Sequence, residues 1–221
     1  MKTPIFREGL RSHRLNSPQC IKQCSGISIF GRTIKTIIFS TDVAVIRNID
    51  ADAILAVYPF TPQLRIALSV IQAADAPVFC GVGGELTNGE RSVKMAEDME
   101  SIGAFGVVVD SLIPIEDIPE IKKSVEIPVI ATIISEKQDI RGRVEGGADF
   151  LNVSGAKRTP EIVRFIRERY PDIPIIATGG PTEETILATI AAGANAITYT
   201  PPSGGQVYSL EMAIDRAKYE R

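Results

Sequence analysis

Short apolar runs recur along the chain, alternating with stretches whose apolar residues return every three or four positions. Three runs look like copies of one another: "APVFCGVGG" from Ala76, "IPVIATIIS" from Ile127 and "IPIIATGG" from Ile173. A second set interleaves with them, each opening Gly-Ala: "GAFGVVVDS" from Gly103, "GADFLNVSG" from Gly147 and "GANAITYTP" from Gly193. Between them lie "RSVKMAEDMESI", "IEDIPEIKKSVE", "TPEIVRFIRERY" and "TEETILATIAA", all with helical spacing. The order is strand, helix, strand, helix.

Strands apolar on both faces and separated by amphipathic helices suit a parallel sheet covered by helices. The pattern predicts eight strands: 34–40, 53–58, 78–81, 105–110, 129–135, 150–154, 175–178 and 196–200. Eight such units predict an α/β fold, a (β/α)8 TIM barrel over residues 33–221 with a short N-terminal basic extension, residues 1–32. An open doubly wound sheet is the alternative. The extension is placed to close the barrel bottom or to contact a partner subunit, giving a homo-oligomer.

Composition narrows the partners. The 221 residues are 44% hydrophobic with a net charge of −3, so no whole-molecule positive field draws nucleic acid or an acidic membrane. Lys2, Arg7, Arg11, Arg14, Lys22 and Arg32 face only Glu8 in the extension, without interleaved aromatics. No signal-peptide core and no membrane-length run is visible, which points to a cytoplasmic protein. Three cysteines, Cys20, Cys24 and Cys80, make no disulfide framework, and the single histidine, His13, lies in the extension. Histidine-based triads and histidine-rich metal sites are thereby disfavoured.

Candidate chemistry follows from the barrel, whose working end is the carboxyl end of its strands. Gly179 and Gly180 follow the seventh strand, and Ser203, Gly204 and Gly205 follow the eighth. Their amides, with a helix N-terminus, predict an anion cup for phosphate; the competing reading is a plain turn capped by Thr182. Alternation predicts Asn152 and Ser154, Ser40 and Asp42, and Thr198 and Thr200 pointing inward. Asp42 and Asp110 end the first and fourth strands as candidate acid/base residues or helix caps. Tyr58, Glu85 and Asn88 complete the rim, and "GVGGELTNGE" is long enough for a lid.

"IPIIATGGPTEETILATIAAGANAITYTPP" resembles the last two units of the ribulose-phosphate-binding barrels, which include 2-keto-3-deoxy-6-phosphogluconate aldolase, N-acylmannosamine-6-phosphate 2-epimerase and thiamine-phosphate synthase. The resemblance spans about residues 149–202 and implies a phosphorylated small-molecule ligand held at Gly179 and Gly180. Pro201 and Pro202 depart from it, since they lack N–H donors where relatives carry them. Aldolases of that superfamily bear an imine-forming lysine on the sixth strand; here Lys157 comes three residues past Ser154. The expected activity is that of a lyase or isomerase on a small phosphorylated carbonyl or sugar compound. A phosphometabolite-sensing barrel without turnover, or a hydrolase using Cys80 or an activated water, are the alternatives. No cofactor is predicted, and carboxylate-held Mg2+ is left open.

Overall fold

The computed structural model describes residues 15–219; expectations attached to Lys2, Arg7, Arg11, His13 and Arg14 lie outside them. An antiparallel hairpin, β1 (Ile27–Ile29) and β2 (Arg32–Ile34), precedes eight parallel strands. These are β3 (Thr36–Phe39), β4 (Ala53–Ala56), β5 (Val78–Gly83), β6 (Gly106–Val109), β7 (Val129–Ile133), β8 (Phe150–Val153), β9 (Ile175–Thr178) and β10 (Ala196–Tyr199). They close in sequence order, β10 pairing with β3, as a (β/α)8 barrel. One helix follows each strand: α1 (Val43–Arg47), α2 (Leu64–Ala73), α3 (Glu90–Ser101), α4 (Asp117–Ser124), α5 (Ile140–Glu145), α6 (Thr159–Arg169), α7 (Glu183–Ala191) and α8 (Gly204–Tyr219).

Alternation along the strands separates two cores. Ile37, Leu55, Phe79, Val108, Ile130, Phe150, Ile176 and Ala196 fill the barrel interior. Their sequence neighbours Ile38, Ile54, Cys80, Val107, Ala131, Leu151, Ala177 and Ile197 pack outward against the helices. The hairpin contributes Ile27, Ile29 and Ile34 to the interior set, so it plugs the barrel's amino-terminal end and straddles the boundary expected at residue 32. Phe30 at its tip meets Phe105 edge-on at 5.3 Å, and Phe105 meets Phe79 at 5.9 Å, extending the plug.

The Gly-Ala repeat has a local cause. Gly103, Gly147 and Gly193 adopt φ of +94°, +101° and +111°, each just past a helix. In the last copy Gly193 N–H donates to the Ile190 carbonyl and Ala194 N–H to that of Thr189, a helix-ending motif that favours glycine. In the second and third copies the residue after Gly-Ala then caps a neighbouring strand. Asp149 Oδ2 accepts from Val129 N–H at 2.8 Å, and Asn195 Oδ1 accepts from Ile175 N–H at 2.9 Å. Each repeat therefore stops a helix and starts a strand, and the two that continue with Asp149 or Asn195 also pin the strand beside it.

The eighth helix departs from the usual arrangement. No described residue of α8 is buried, and Tyr208, Leu210 and Ile214 are exposed. A 3-10 turn, Gln19–Gln23, packs beside α7, burying Cys20 and Ile21.

Replacing Gly103 with Ala tests the repeat cleanly, because an added Cβ there meets nothing within 4 Å and only the left-handed backbone is strained. Urea denaturation is expected to show a loss of about 1–2 kcal/mol, whereas an unchanged midpoint would contradict the left-handed stop.

Candidate active site

Strands expected to reach Ser40, Tyr58, Asp110, Ser135, Ser154 and Thr200 end one or two residues earlier, so these residues sit on the mouth of the barrel. Asp110 and Tyr58 face a defined pocket, and Asp110 is the ionised group of the two. Alternation from interior Val108 turns it inward, and its amide still donates to the Gly83 carbonyl at 2.9 Å, extending the β5–β6 ladder. Its Oδ1 accepts from Leu112 N–H at 2.6 Å. Oδ2 has no donor among the described residues. The pocket encloses about 210 Å3 and is lined by Val57, Tyr58, Gly81, Gly84, Glu85 and Leu112, among others, so it lies over the ends of β4, β5 and β6. Tyr58 joins it as expected, although its hydroxyl oxygen accepts from Gln63 N–H at 2.8 Å; burial pushes its pKa up.

Glycines make this pocket. The pairing of Gly81 and Gly83 with β6 marks a register shift in β5 between them, an irregularity of the kind that bends a strand end. A Cβ on Gly84 would overlap the Asp110 carboxylate, so the backbone there lies directly against the acid. Gly84 and Thr87 then exchange hydrogen bonds of 2.8 and 3.3 Å, closing a tight turn with Leu86 exposed at its tip. The stretch expected to be a lid is thus a short, internally bonded turn, and its base is tied by Gly89 N–H to Asp117 at 2.6 Å. Asn88 bonds the Glu85 carbonyl and stays exposed.

Behind Asp110 lies a buried cation. Arg143 of α5 is 4% exposed and its Nη2 donates to the Ser111 carbonyl at 2.7 Å, beside Gln138 Nε2 at 2.8 Å. Burial lowers its pKa against the pull of Asp110 and Asp139. Both residues fix the turn that carries Asp110.

On the opposite wall the inward polar residues appear where expected for β8 and β10. Asn152 and Thr198 are buried, with interior Phe150 and Ala196 two residues below them. Asn152 Nδ2 donates to Thr132 Oγ1 at 3.3 Å, and Thr178 Oγ1 donates to Ser154 Oγ at 3.3 Å. The expectation for the first strand is corrected. Interior Ile37 sets the parity, so Phe39 points into the mouth, while Ser40 and Asp42 lie past the strand.

Asp42 is engaged by backbone amides. It caps α1 through Ala44 and Val45 N–H groups and accepts from Gly204 N–H at 2.7 Å. The Gly204 amide, then those of Val45 and Ala44, hold its carboxyl below the usual range. That contact also takes one donor from the expected anion cup. Ser203 N–H donates to Gln206 Oε1 at 2.8 Å and Gly179 N–H to the Thr198 carbonyl at 3.2 Å. Gly179 is buried, and a Cβ there would press Ile197 and Ile186 at 2.7 and 2.8 Å. Gly180, with φ of +83°, lies over Thr185, the partner of Thr182 in the capping box of α7. The amides of Gly180 and Gly205 have no acceptor among the described residues.

The remaining candidates separate widely. Lys157 is exposed on the 3-10 turn Ala156–Arg158, while its neighbour Arg158 pairs with Glu136 and Glu161 at 2.5 and 3.1 Å. Cys80 faces outward, 1% exposed, its thiol pushed up to about 12 by burial. The hydrolase reading through Cys80 loses its nucleophile on both counts. Among the described residues no three His, Cys, Asp or Glu side chains stand together to hold a metal ion. No helix there is long and apolar enough to cross a membrane.

A larger cavity, about 620 Å3, opens at the opposite end, between the amino ends of β3, β4 and β5. Its acids are already used: Asp52 accepts from Lys35 and Thr36 N–H groups, Asp50 from Ser17 N–H, and Asp75 pairs with Arg47. The smaller pocket at the mouth holds the unengaged carboxylate oxygen.

These features define a closed (β/α)8 barrel with an acidic, glycine-walled mouth. No protein-family model matches the chain. It is similar to thiamine-phosphate synthase of Geobacillus thermodenitrificans (strain NG80-2), one of the barrels the sequence resembles, at 28% identity over 94 residues. That match spans 38% of this chain and 42% of the relative. Among solved structures, phosphoenolpyruvate phosphomutase from Streptomyces platensis subsp. rosaceus superposes with a TM-score of 0.64 at 15% identity, covering 89% of this chain and 83% of that one. For 2,3-dimethylmalate lyase, of the PEP mutase/isocitrate lyase superfamily, the TM-score is 0.64 at 14% identity, with 91% and 85% covered. Dihydrodipicolinate synthase from Bacillus anthracis gives 0.60 at 15% identity, with 84% and 77% covered. At such identities the likeness is one of fold.

Gly84→Ala is expected to lower stability by about 1–3 kcal/mol through overpacking against Asp110, and Asp110→Ala in the same chain to restore most of it. Gly81→Ala, whose Cβ meets Val57 no closer than 3.5 Å, should leave the thermal midpoint in place. A Gly84→Ala protein as stable as the parent would contradict the contact.

Proposed function

We propose that this protein is an enzyme acting on a small phosphorylated carbonyl compound, as a lyase or isomerase, with Asp110 as its acid/base group. The observation that carries the reading is the Asp110 carboxylate itself, which lines the mouth pocket with one oxygen fixed by Leu112 N–H and the other without a donor among the described residues. A carboxylate held in that way, between an apolar wall and neutral hydroxyls, is placed to take a proton from carbon next to a carbonyl and return it. Val57, Phe60 and Leu112 supply the apolar side of that pocket. Tyr58 stands in the same pocket as a neutral hydroxyl for the substrate's oxygen.

For the phosphate, the reading is supported by the amides of Gly180 and Gly205 and by the positive end of the nine-residue helix α7. It places the anion over Gly180 and away from Gly204, whose amide serves Asp42. Lys157, exposed at the rim, draws the anion inward electrostatically. The names of the similar proteins, thiamine-phosphate synthase and phosphoenolpyruvate phosphomutase, fit a phosphorylated substrate class.

Proton exchange tests the class before the substrate is known. Incubated in D2O with dihydroxyacetone phosphate, glyceraldehyde 3-phosphate and phosphorylated 2-oxo acids, the protein is expected to wash out a proton next to the carbonyl of one of them, read by NMR. Asp110→Asn should slow that exchange by about 10²–10⁴-fold. Exchange by neither protein, alongside ligand-induced thermal stabilisation, would favour a sensing barrel.

A further inference from the structure

We infer that the floor of the mouth, built by Thr132, Asn152, Ser154, Thr178 and Thr198, is a subsite for the uncharged, hydroxyl- or carbonyl-bearing end of a small ligand. The identity of the ligand's other end rests on the proposed function; the floor does not. Asn152 is 7% exposed and Thr198 4%, and strand alternation points both into the barrel above the apolar layer of Phe150, Ile176 and Ala196. Asn152 Oδ1 and Thr198 Oγ1 are nevertheless without a hydrogen-bond partner among the described residues. Their neighbours are partnered: Thr132 Oγ1 accepts from Asn152 Nδ2, and Ser154 and Thr178 bond each other. Exchanging the two ends of the Asn152 amide only changes which of its atoms is left over.

Buried polar atoms without partners are uncommon and costly, so two on one floor mark a place where something else completes the bonding. The chemistry of that ligand follows from what surrounds it. Inward positions at this level are Phe39, Val57, Gly81, Asp110, Thr132, Asn152, Thr178 and Thr198, of which Asp110 alone is ionisable. A phosphate or carboxylate would meet that negative charge with no cation among the inward positions, since Arg143 lies behind Asp110 on α5 with its Nη2 on the Ser111 carbonyl. A hydroxyl both donates and accepts, so it satisfies an amide oxygen and a threonine hydroxyl together. Gly81 keeps the facing wall clear, since an added Cβ there would stand in the interior against Val57. The ligand therefore enters with its neutral end down and its charged end at the rim.

Glycerol serves as the probe, because it carries hydroxyls and neither phosphate nor carbonyl. Crystals of the full chain soaked in it are expected to show glycerol hydroxyls within hydrogen-bond distance of the Asn152 amide and of Thr198 Oγ1. Thr198→Val, nearly the same shape, should weaken glycerol binding in solution about tenfold, the effect of one neutral hydrogen bond. Its thermal midpoint should hold or rise, because an unpartnered group has been removed; Asn152→Leu is the second variant with the same two expectations. A floor that holds water alone in the soaked crystals, or variants that melt lower while binding glycerol unchanged, would overturn the inference. Absence of proton exchange with carbonyl phosphates leaves a glycerol-bound floor standing, and an empty floor beside retained exchange removes the subsite only.

Discussion

Closing eight parallel strands on themselves sends every second side chain into one enclosed space, and the rest of this molecule depends on how that space is divided. Below, it is filled by Ile37, Leu55, Phe79, Ile130 and Ile176 and stoppered by the hairpin isoleucines. Above, the same strands present Asp110, Thr132, Asn152 and Thr198. Apolar filling makes the lower half rigid, and rigidity is what allows polar groups to be held unpaired in the upper half. Burying each such group works against folding, so the packed half carries the energetic cost of a receptive mouth.

The fold was legible because alternate units repeat a local instruction. Gly-Ala stops a helix, and where Asp149 or Asn195 follows it also pins a strand within about the same stretch of chain, and such short-range chemistry shows in the letters. The inward assignment of Asn152 and Thr198 followed for the same reason, from apolar neighbours on either side. It failed on β3, where "TIIFSTD" offers adjacent isoleucines and no alternation to set the parity. Ile37 takes the interior and carries Phe39 with it.

The site was less legible because its decisive contacts join residues far apart in the chain. Asp42 reaches Gly204 across 162 positions, which no spacing rule anticipates, and with that bond one rim acid and one cup amide satisfy each other. Gly84 against Asp110 and Arg143 against Ser111 are likewise products of strand and helix neighbourhood. The run of glycines from Gly81 to Gly84 was a visible signal, but its meaning, room beside an acid, needed the next strand in place. Cys80 shows the converse: its letter suggests reactivity, and one step of strand parity puts it among the helices.

The central claim is that ligands are taken at the carboxyl-end mouth and not in the larger cavity at the other end. Amide and side-chain NMR shifts recorded during titration with dihydroxyacetone phosphate at millimolar concentration test it directly. The account predicts movement at Gly84, Leu112, Gly180 and the Asn152 side-chain amide, with Lys35, Arg47 and Asp75 unmoved. Shifts confined to those last three residues, with the mouth silent, would contradict it.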